Sequence, residues 1–410
     1  MRREDAPEGL GRHKTLKGLK NGLPNVGCRS HWLSLRAPSN RLLAFVLGAT
    51  RWIRAALCGR ILPLQSVLAL QGRFETSPFL ATLAGINGRG ASSPVIYVDG
   101  VRLAQPGVAM WRRVGGRLII DFDDLMSRRV ARMARNHEDI SFGAFAAAVP
   151  GHIQTFIRAL GPLRAILLGW EKRLLRQAEL EAARTADAIA FTSAYESRLF
   201  RRFQRRHASE ADPVYLVLGP STRHIKNRAS DILRRQPPTD VRFIFVGSDV
   251  LEQNRVAIQE IVDLARDGAL AAPAYIYGRM TRKYEPPDNV VFCGFAETLA
   301  QVYQPGSILL LARSVRGGIK SKVLEACEHG VPTVGVSSAL EGFEGAYPWR
   351  VDGAALRRLV GDASELRRGY HAAVAAGVAI CAARFSSRRY WEVVSSYVRS
   401  GADGRGQEGI

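Results

Sequence analysis

One short segment of the sequence concentrates groups that bind a diphosphate. It combines glycines, which permit close backbone approach and positive φ, with basic side chains: Arg313, Arg316, Gly317, Gly318, Lys320 and Lys322. Only eight lysines occur in the chain, so two within three residues form a local concentration. Ser321 is expected to cap the helix that follows, and the N–H groups and dipole of a helix start favour an anion.

Glu325 follows Lys322 by three residues, which places both side chains on one helix face. A carboxylate there accepts hydrogen bonds from a ribose diol. The alternative is that the glycines only make a tight strand-to-helix turn, the lysines are solvated, and Glu325 pairs with Lys322. Lys322 is expected to be exposed in either case. The segment lacks the glycine and lysine spacing of a P-loop and of a G-x-G-x-x-G motif.

A second group of polar residues follows two apolar runs in the first half of the chain. Asp99 and Arg102 come just after the first run, where they either face a binding site or belong to an ordinary turn. Asp121 and Asp123 end the second run with D-x-D spacing, which is typical of metal or phosphotransfer sites. Alternatively, Asp123 and Asp124 cap the next helix. No histidine spacing indicates a metal set, and no metal is expected.

Alternating strands and helices predict the framework that positions both groups. Apolar runs such as 94–99 and 117–122 are typical of strands buried on both faces of a parallel sheet. The alternation restarts after a proline-rich stretch, which predicts two Rossmann-like domains whose parallel sheets face a central cleft. The predicted divisions are an irregular basic N-terminus (1–40), a first domain (41–218), a linker (219–240), a second domain (241–385), and a crossover helix with a tail (386–410).

Composition indicates a globular chain with an excess of positive charge. Hydrophobic residues make up 47% of its 410 residues, and the formal net charge is +21. No zinc-finger spacing, RNP-like strand or basic heptad region accompanies the charge, so nucleic acid is not an expected partner. An anionic membrane surface is a possible partner, because residues 41–71 are apolar and contain several arginines. Core packing is the first interpretation of that stretch, and an interfacial helix is the alternative. Five cysteines without a C-x-x-C pair fit the cytoplasm.

Three strings in the second half resemble a known family. GGIKSKVLEA (317–326), HGVPTV (329–334) and ALEGF (339–343) resemble the donor-site signature of glycosyltransferase family 4, which has the GT-B fold. The resemblance covers most of the second domain through FVGS, YGR and VVFCGF. It continues more weakly in the first domain through DFDDLMSRR, the helix that carries Glu171, and ADAIAFTSAYESRLF, where it is closest to bacterial exopolysaccharide enzymes.

This resemblance implies transfer of a sugar from a UDP- or GDP-linked donor to a glycan or lipid-linked acceptor, in polysaccharide or glycoconjugate biosynthesis. Lys320 and Lys322 would bind the diphosphate, Glu325 the ribose, the backbone at Phe295 the base, and the turn at Gly247 would lie at the donor. Members of the family are mostly metal-independent and retain anomeric configuration, so no cofactor is expected beside the donor. The first domain would bind the acceptor, with Asp99, Arg102 and Asp121 as candidates. The expected location is the cytoplasm, at the periphery of its membrane.

The sequence departs from the family pattern at three places. Gly317 stands where many members carry a glutamate that contacts the donor sugar. Gly247 and Ser248 lack the common arginine-lysine pair, which leaves the phosphates to the two lysines and Arg316. Residues 1–40 do not have the strand, glycine-rich loop and helix expected at the start of a GT-B domain. A non-catalytic GT-B-like binding or scaffold protein is therefore the alternative function.

Overall fold

The protein divides into two compact units along the chain. The computed structural model describes residues 19–26, 30–33, 35–36, 40–69, 73–74, 94–135, 163–207, 213–220, 222, 225–313, 318–345 and 347–400. Unit 1 contains Met1–Leu218 together with Glu392–Ile410, and unit 2 contains Gly219–Trp391. The chain therefore passes through unit 2 before it completes unit 1.

Unit 1 is built on a parallel sheet of four strands. Its elements in chain order are β1 (Leu35–Arg36), α1 (Arg41–Leu57), α2 (Leu64–Ala69), β2 (Arg73–Phe74), β3 (Val95–Asp99), α3 (Ala104–Val114), β4 (Arg117–Asp123), α4 (Met126–Arg135), α5 (Leu163–Thr185), β5 (Ala188–Phe191), α6 (Ala194–Arg206) and β6 (Val214–Val217). The order of the sheet is β3-β4-β5-β6, and all neighbours are parallel. Each strand thus lies beside the next one in sequence. The strands β1 and β2 form a separate antiparallel pair.

The core of unit 1 explains why its strands could be predicted. Strand β4 is buried along its central five residues, so both of its faces are covered and its sequence is apolar throughout. Phe122, Phe191 and Phe200 meet in this core with ring centroids 5.2 to 5.7 Å apart. The strands predicted at 94–99 and 117–122 are confirmed, and each end lies within one residue of its prediction.

Helix α1 does not pack into this core as its apolar composition suggested. Its two buried positions, Gly48 and Ala55, are small and seven residues apart, so they share one helix face. Large side chains such as Leu42, Phe45 and Leu57 are 71%, 61% and 84% exposed. The first interpretation of this stretch is therefore wrong for α1, because the helix approaches its neighbours through its smallest residues. Within the described ranges, no helix is long and apolar enough to cross a membrane.

Unit 2 is a five-stranded parallel sheet with helices in its connections. Its elements are α7 (Ile225–Leu233), β7 (Arg242–Val246), α8 (Glu252–Arg266), β8 (Ala274–Tyr277), β9 (Val290–Gly294), α9 (Leu299–Val302), β10 (Ser307–Leu311), α10 (Ser321–Glu328), β11 (Thr333–Gly335), α11 (Ala354–Val360), α12 (Ala363–Arg384) and α13 (Ser387–Ser400). The order of the sheet is β11-β10-β7-β8-β9. The chain starts in the middle, builds outward to β9, and then returns to the other side of β7. The strand order therefore reverses between β7 and β10.

The stretch assigned to a linker from its prolines, 219–240, holds helix α7. Ile225 and Ile232 lie seven residues apart on one face of this helix, and both are buried in the core of unit 2. The prolines Pro237 and Pro238 follow the helix and precede β7. This part of the chain thus contributes to the packing of unit 2.

Helix α13 returns the chain to unit 1. From Glu392 onward its residues belong to that unit. The guanidinium of Arg117, at the start of β4, lies 3.8 Å from the ring centroid of Tyr397, and its Nη1 donates to the Tyr397 carbonyl at 2.6 Å. Strand β4 is thereby attached to a residue that lies 280 positions further along the chain.

Candidate functional site

The site in unit 2 begins where β7 ends. In parallel α/β sheets, ligands bind beyond the carboxyl ends of the strands, at the point where the strand order reverses. Here that point lies between β7 and β10. Gly247 follows β7, and a Cβ on it would lie 2.7 Å from Nδ2 of Asn254. Such a distance is too short for a non-bonded contact, so a side chain at this position would displace the Asn254 amide, whereas glycine lets this turn and the first turn of α8 approach each other.

The second half of the site follows β10. Gly318 is buried with φ of +64°, a conformation that favours glycine, and it leads into α10. Two predicted residues of this turn, Arg316 and Gly317, lie outside the described residues. Arg313 is described, and its Nη1 forms an ion pair with Glu260 of α8 at 3.6 Å. The expected convergence of four cations is therefore reduced, because Arg313 is directed to a carboxylate of the protein itself.

The start of α10 differs from the prediction by one residue. Lys320 occupies the N-cap position with extended backbone angles, and Ser321 is the first helical residue. The prediction that Ser321 caps this helix is wrong. Lys320 forms no side-chain cap hydrogen bond in the described structure. The absence of such a cap suits an anion at the positive dipole end of this helix.

Lys322 lies between the two halves of the site. Its Nζ donates to Oδ1 of Asn254 at 3.2 Å and lies 4.2 Å from the centroid of the Phe245 ring. This hydrogen bond goes to Asn254, while Glu325 acts on the charge of Lys322 from further along the helix. The expectation that Lys322 is exposed is wrong, because the side chain is partly buried against β7.

The surroundings of Lys322 change its protonation. Burial lowers the pKa of the ammonium from 10.5 to about 7, and the nearby charge of Lys320 acts in the same direction. Glu325 acts in the opposite direction. A cation–π contact and one hydrogen bond therefore hold an ammonium whose charge is only partly compensated. An anion bound at this point would favour its protonated form.

Phe295 lies on the same edge of the sheet but further away. It follows β9, which is separated from β7 by β8, and its side chain is 84% exposed. Gly294 precedes it with φ of +71°. The structure thus places Gly247, Gly318 and Lys322 together at the switch point, while Phe295 is two strands away from them.

Two residues after Gly247 were not predicted to matter. Ser248 donates through Oγ to the carbonyl of Arg279 at 2.7 Å. Asp249 is buried and accepts hydrogen bonds from Thr281 N at 2.7 Å, Thr281 Oγ1 at 2.9 Å and Arg282 N at 3.1 Å. Burial by itself raises the pKa of Asp249, but these hydrogen bonds outweigh it and leave the pKa below its ordinary value. Where family members carry cations, this chain ties the turn to the β8–β9 loop.

The polar residues at the carboxyl end of β4 in unit 1 bind other parts of that unit. Asp121 is buried and accepts hydrogen bonds from the Tyr97 hydroxyl and from the Asp123 N–H at 2.8 Å. Asp99 lies opposite Asp121 in the register of β3 and β4, and Arg102 follows in the next turn. Asp123 has φ of +58°, which among the described residues is the only positive value outside glycine. No cluster of three or more His, Cys, Asp or Glu residues suited to a metal ion is found in these ranges.

The helix that follows β4 is capped from a distance. Ser127 N and Oγ donate to the two carboxylate oxygens of Glu179, at 2.9 and 2.6 Å. Asp124 lies 3.9 Å from Arg129 of the same helix. Burial raises the pKa of Glu179 to about 7, although its bonds to Ser127 act in the opposite direction. Sequence spacing could not reveal this cap, because 52 residues separate its partners.

Comparison with known proteins rests on structure. No protein-family model matches the chain, and no curated protein matches its sequence. The structure of HepE from Anabaena, in complex with UDP, aligns with 90% of this chain and 98% of that chain at a TM-score of 0.50 and 12% identity. Sucrose-phosphate synthase from Thermosynechococcus elongatus aligns with 82% of this chain and 78% of that chain, at a TM-score of 0.50 and 14% sequence identity. Both are GT-B proteins. This chain has the GT-B fold.

The predicted fold class is thus confirmed as α/β with two parallel sheets, the GT-B fold. Within the GT-B fold, the strand order of unit 2 decides which of the predicted residues can act together. Gly318, Lys320 and Lys322 follow β10, and Gly247 follows β7, so both connections of the reversal contribute. At 12% and 14% identity the two comparisons establish the fold. The roles of the site residues follow from their own contacts.

Proposed function

We propose that this chain is a glycosyltransferase that moves a sugar from a UDP- or GDP-linked donor to a glycan or lipid-linked acceptor. The observation that supports it best is the position of Lys322 at the reversal of strand order in unit 2, between the Gly247 turn and the start of α10. A cation, a glycine turn and a helix start at one sheet edge suit the diphosphate of a nucleotide sugar.

The chemistry that we propose is stabilisation of the leaving group. When the bond from the sugar to the diphosphate breaks, negative charge develops on the departing phosphate oxygen. Lys322 and Lys320 would neutralise that charge, with the N–H groups at the start of α10. We propose a metal-independent reaction for the same reason, and a retaining one from the resemblance to family 4. Glu325, one helical turn into α10, would accept hydrogen bonds from the ribose, and the backbone at Phe295 would face the base.

Unit 1 is the proposed acceptor side. Asp99 and Arg102 follow β3 and are both partly exposed, so they remain the candidates for an acceptor contact. Asp121 has a different role in this proposal, because it is buried and bonded to Tyr97 and Asp123. It would hold the end of β4 in place. We propose polysaccharide or glycoconjugate biosynthesis at the cytoplasmic side of a membrane as the setting.

A two-step assay tests this function. A panel of UDP- and GDP-linked sugars is first screened by thermal shift, and those that bind are then assayed for hydrolysis and transfer in the presence of EDTA. We expect at least one donor to bind and to turn over under chelation. Activity that is lost in EDTA and restored by manganese would move the proposal to Asp121 and Asp123.

The same assay separates the alternative function. A GT-B-like binding or scaffold protein would bind a nucleotide without turnover, as the replacement of the family glutamate by Gly317 suggests. Absence of binding to every UDP- and GDP-linked sugar would contradict both functions. A nucleic-acid partner is not proposed.

A further inference from the structure

Asn254 touches three parts of the proposed donor site through one side chain. Its Oδ1 accepts from Lys322 Nζ at 3.2 Å, and its Nδ2 donates to the Ser248 carbonyl at 2.9 Å. The two bonds use opposite ends of the amide, so together they fix its orientation. The side chain also fills the space beside Gly247, where a Cβ would come within 2.7 Å of it. Asn254 is buried, with 8% of its surface exposed.

These contacts join segments that are far apart in sequence. Asn254 and Lys322 are 68 residues apart, on α8 and α10, which follow β7 and β10. Lys322 has a long side chain with many rotamers, and fixing it in one place has a substantial entropic cost. In this site the Asn254 amide and the ring of Phe245 hold the ammonium before any ligand is present. The amide does so without a charge that would compete for the ammonium.

We infer that Asn254 is a positioning residue, which holds the Lys322 ammonium and the Gly247 turn together as one preorganised diphosphate site. This inference rests on the proposed function, and it adds a residue that does not itself touch the donor. A carboxylate at position 254 would bind the ammonium more tightly but would also compete with the diphosphate for it. A neutral amide orients the charge and leaves it available.

The charges around Lys322 allow a readout that a purely structural role would not change. Lys320 and Glu325 act on it from its own segment. From the neighbouring segments of the described chain, the Tyr303 hydroxyl donates to the Lys322 carbonyl at 3.3 Å, and Arg313 is already paired with Glu260. Burial keeps Tyr303 in its neutral form, because it raises the pKa of the phenol well above 10. The ionisation of Lys322 should therefore dominate the pH dependence of anion binding just above neutrality.

The experiment measures the dissociation constant of UDP by calorimetry from pH 7 to pH 9, a range that lies above the last phosphate pKa of about 6, so that the charge of UDP changes little. For the wild-type chain, affinity should fall as the pH rises above about 7, because Lys322 loses its proton. Asn254→Ala should weaken binding about tenfold at pH 7. Asn254→Asp should weaken binding too, and should move the fall in affinity to higher pH, because a carboxylate at the Asn254 position favours the ammonium.

Gln259 provides the matched control. It is exposed on the same helix, where its amide donates to Asp263. Gln259→Ala and Gln259→Asp should bind UDP as the wild type does, with the same pH profile. The melting temperatures of all variants identify any that fail to fold, and NMR of the lysine Nζ groups in the ligand-free chain reports the Lys322 pKa directly. In Asn254→Asp this pKa should rise.

Three outcomes would overturn the inference, and they are distinguishable. If Lys322→Met loses UDP affinity but both Asn254 variants keep the wild-type affinity and pH profile, Asn254 has no positioning role and the proposed function stands. If the wild-type chain binds neither UDP nor GDP, the proposed function fails and the inference fails with it. Weaker binding in Asn254→Ala without any change of pH profile in Asn254→Asp would also contradict it, since loss of packing alone gives that result.

Discussion

The carboxyl ends of the two sheets carry polar residues that are used in different ways. At the end of β4 in unit 1, Asp121 is buried and bonded to Tyr97 and Asp123. At the end of β7 in unit 2, Asn254 holds the ammonium of Lys322 beside the Gly247 turn. The start of α10 lies on the same side, and it has no side-chain cap bond in the described structure. The carboxylate of Asp121 forms hydrogen bonds within the protein, while the ammonium of Lys322 is placed where an anionic ligand could bind it.

The strand orders account for this difference. In unit 1, neighbours in the sheet are neighbours in sequence, so each connection passes to the adjacent strand. In unit 2 the order reverses between β7 and β10, and the connections on the two sides of that point lead away from each other. A crevice at the sheet edge results, and residues from both connections can be aimed at one ligand. In this molecule the candidate binding site lies at the strand ends where the order of the described strands reverses.

The largest expected effect concerns the buried carboxylate of unit 1. The pKa of Glu179 is raised from 4.5 to about 7 by burial. The folded state therefore binds a proton that the unfolded state has already released, so the free energy of unfolding should fall as the pH rises from 4.5 to about 7. The expected loss is about 3 kcal/mol. Urea unfolding of the wild type and of Glu179→Gln at several pH values measures it.

Glu179→Gln should remove most of this pH dependence, because the amide does not ionise. Glu181→Gln is the matched control, since Glu181 is exposed on the same helix and should leave the pH dependence unchanged. An identical slope in Glu179→Gln and wild type would show that the pKa of Glu179 is the same in the folded and unfolded states.

The next largest effect is a loss of UDP affinity that we expect from a substitution in unit 2 and not from one in unit 1. Lys322→Met keeps the packing of the stem against Phe245 but removes the charge, and it should lower UDP affinity by about 1.5 to 3 kcal/mol, or ten- to hundredfold. Calorimetric titration measures it. Lys172→Met removes a charge from α5 in unit 1 and should leave UDP affinity unchanged. Equal UDP affinities in Lys322→Met and wild type would show that Lys322 does not bind the diphosphate.

A smaller effect is expected from Asp121→Ala, this time on stability. The substitution leaves the Tyr97 hydroxyl and the Asp123 N–H without their acceptor, which should lower the free energy of unfolding by about 1 to 2 kcal/mol. UDP affinity should not change. Combining it with Tyr97→Phe should recover part of the loss in a double-mutant cycle, because both partners of one bond are then removed. Loss of UDP binding in Asp121→Ala would place this carboxylate in the donor site.

The smallest effect concerns the exposed face of α1. Leu42, Phe45 and Leu57 are exposed on a helix that also carries Arg51 and Arg54. An apolar face with adjacent arginines should favour anionic over neutral lipid vesicles several-fold. Vesicle sedimentation measures this, and Phe45→Ser should reduce it. Equal binding to neutral and anionic vesicles would count against an electrostatic contribution.

Local sequence predicted the strands and the lysine turn, and missed features that depend on distant residues. An apolar run identified β4 because that strand is covered on both faces. The same reasoning failed for α1, since apolar composition does not say which helix face meets the core. The contacts of Asn254 and Glu179 cross 68 and 52 residues, so no spacing rule contains them. The glycine at 247 could be noted, but its reason, the Asn254 side chain, required the fold.

The return of α13 to unit 1 has a consequence for synthesis. The partner of Arg117, Tyr397, is translated only after Gly219–Trp391 has been made. At about 5 to 20 residues per second, the ribosome needs roughly 9 to 35 s for that stretch. During this time unit 2 emerges as one continuous segment and can fold. The guanidinium of Arg117 at the start of β4 still lacks its acceptor, the carbonyl of Tyr397. Unit 1 starts first and is completed last.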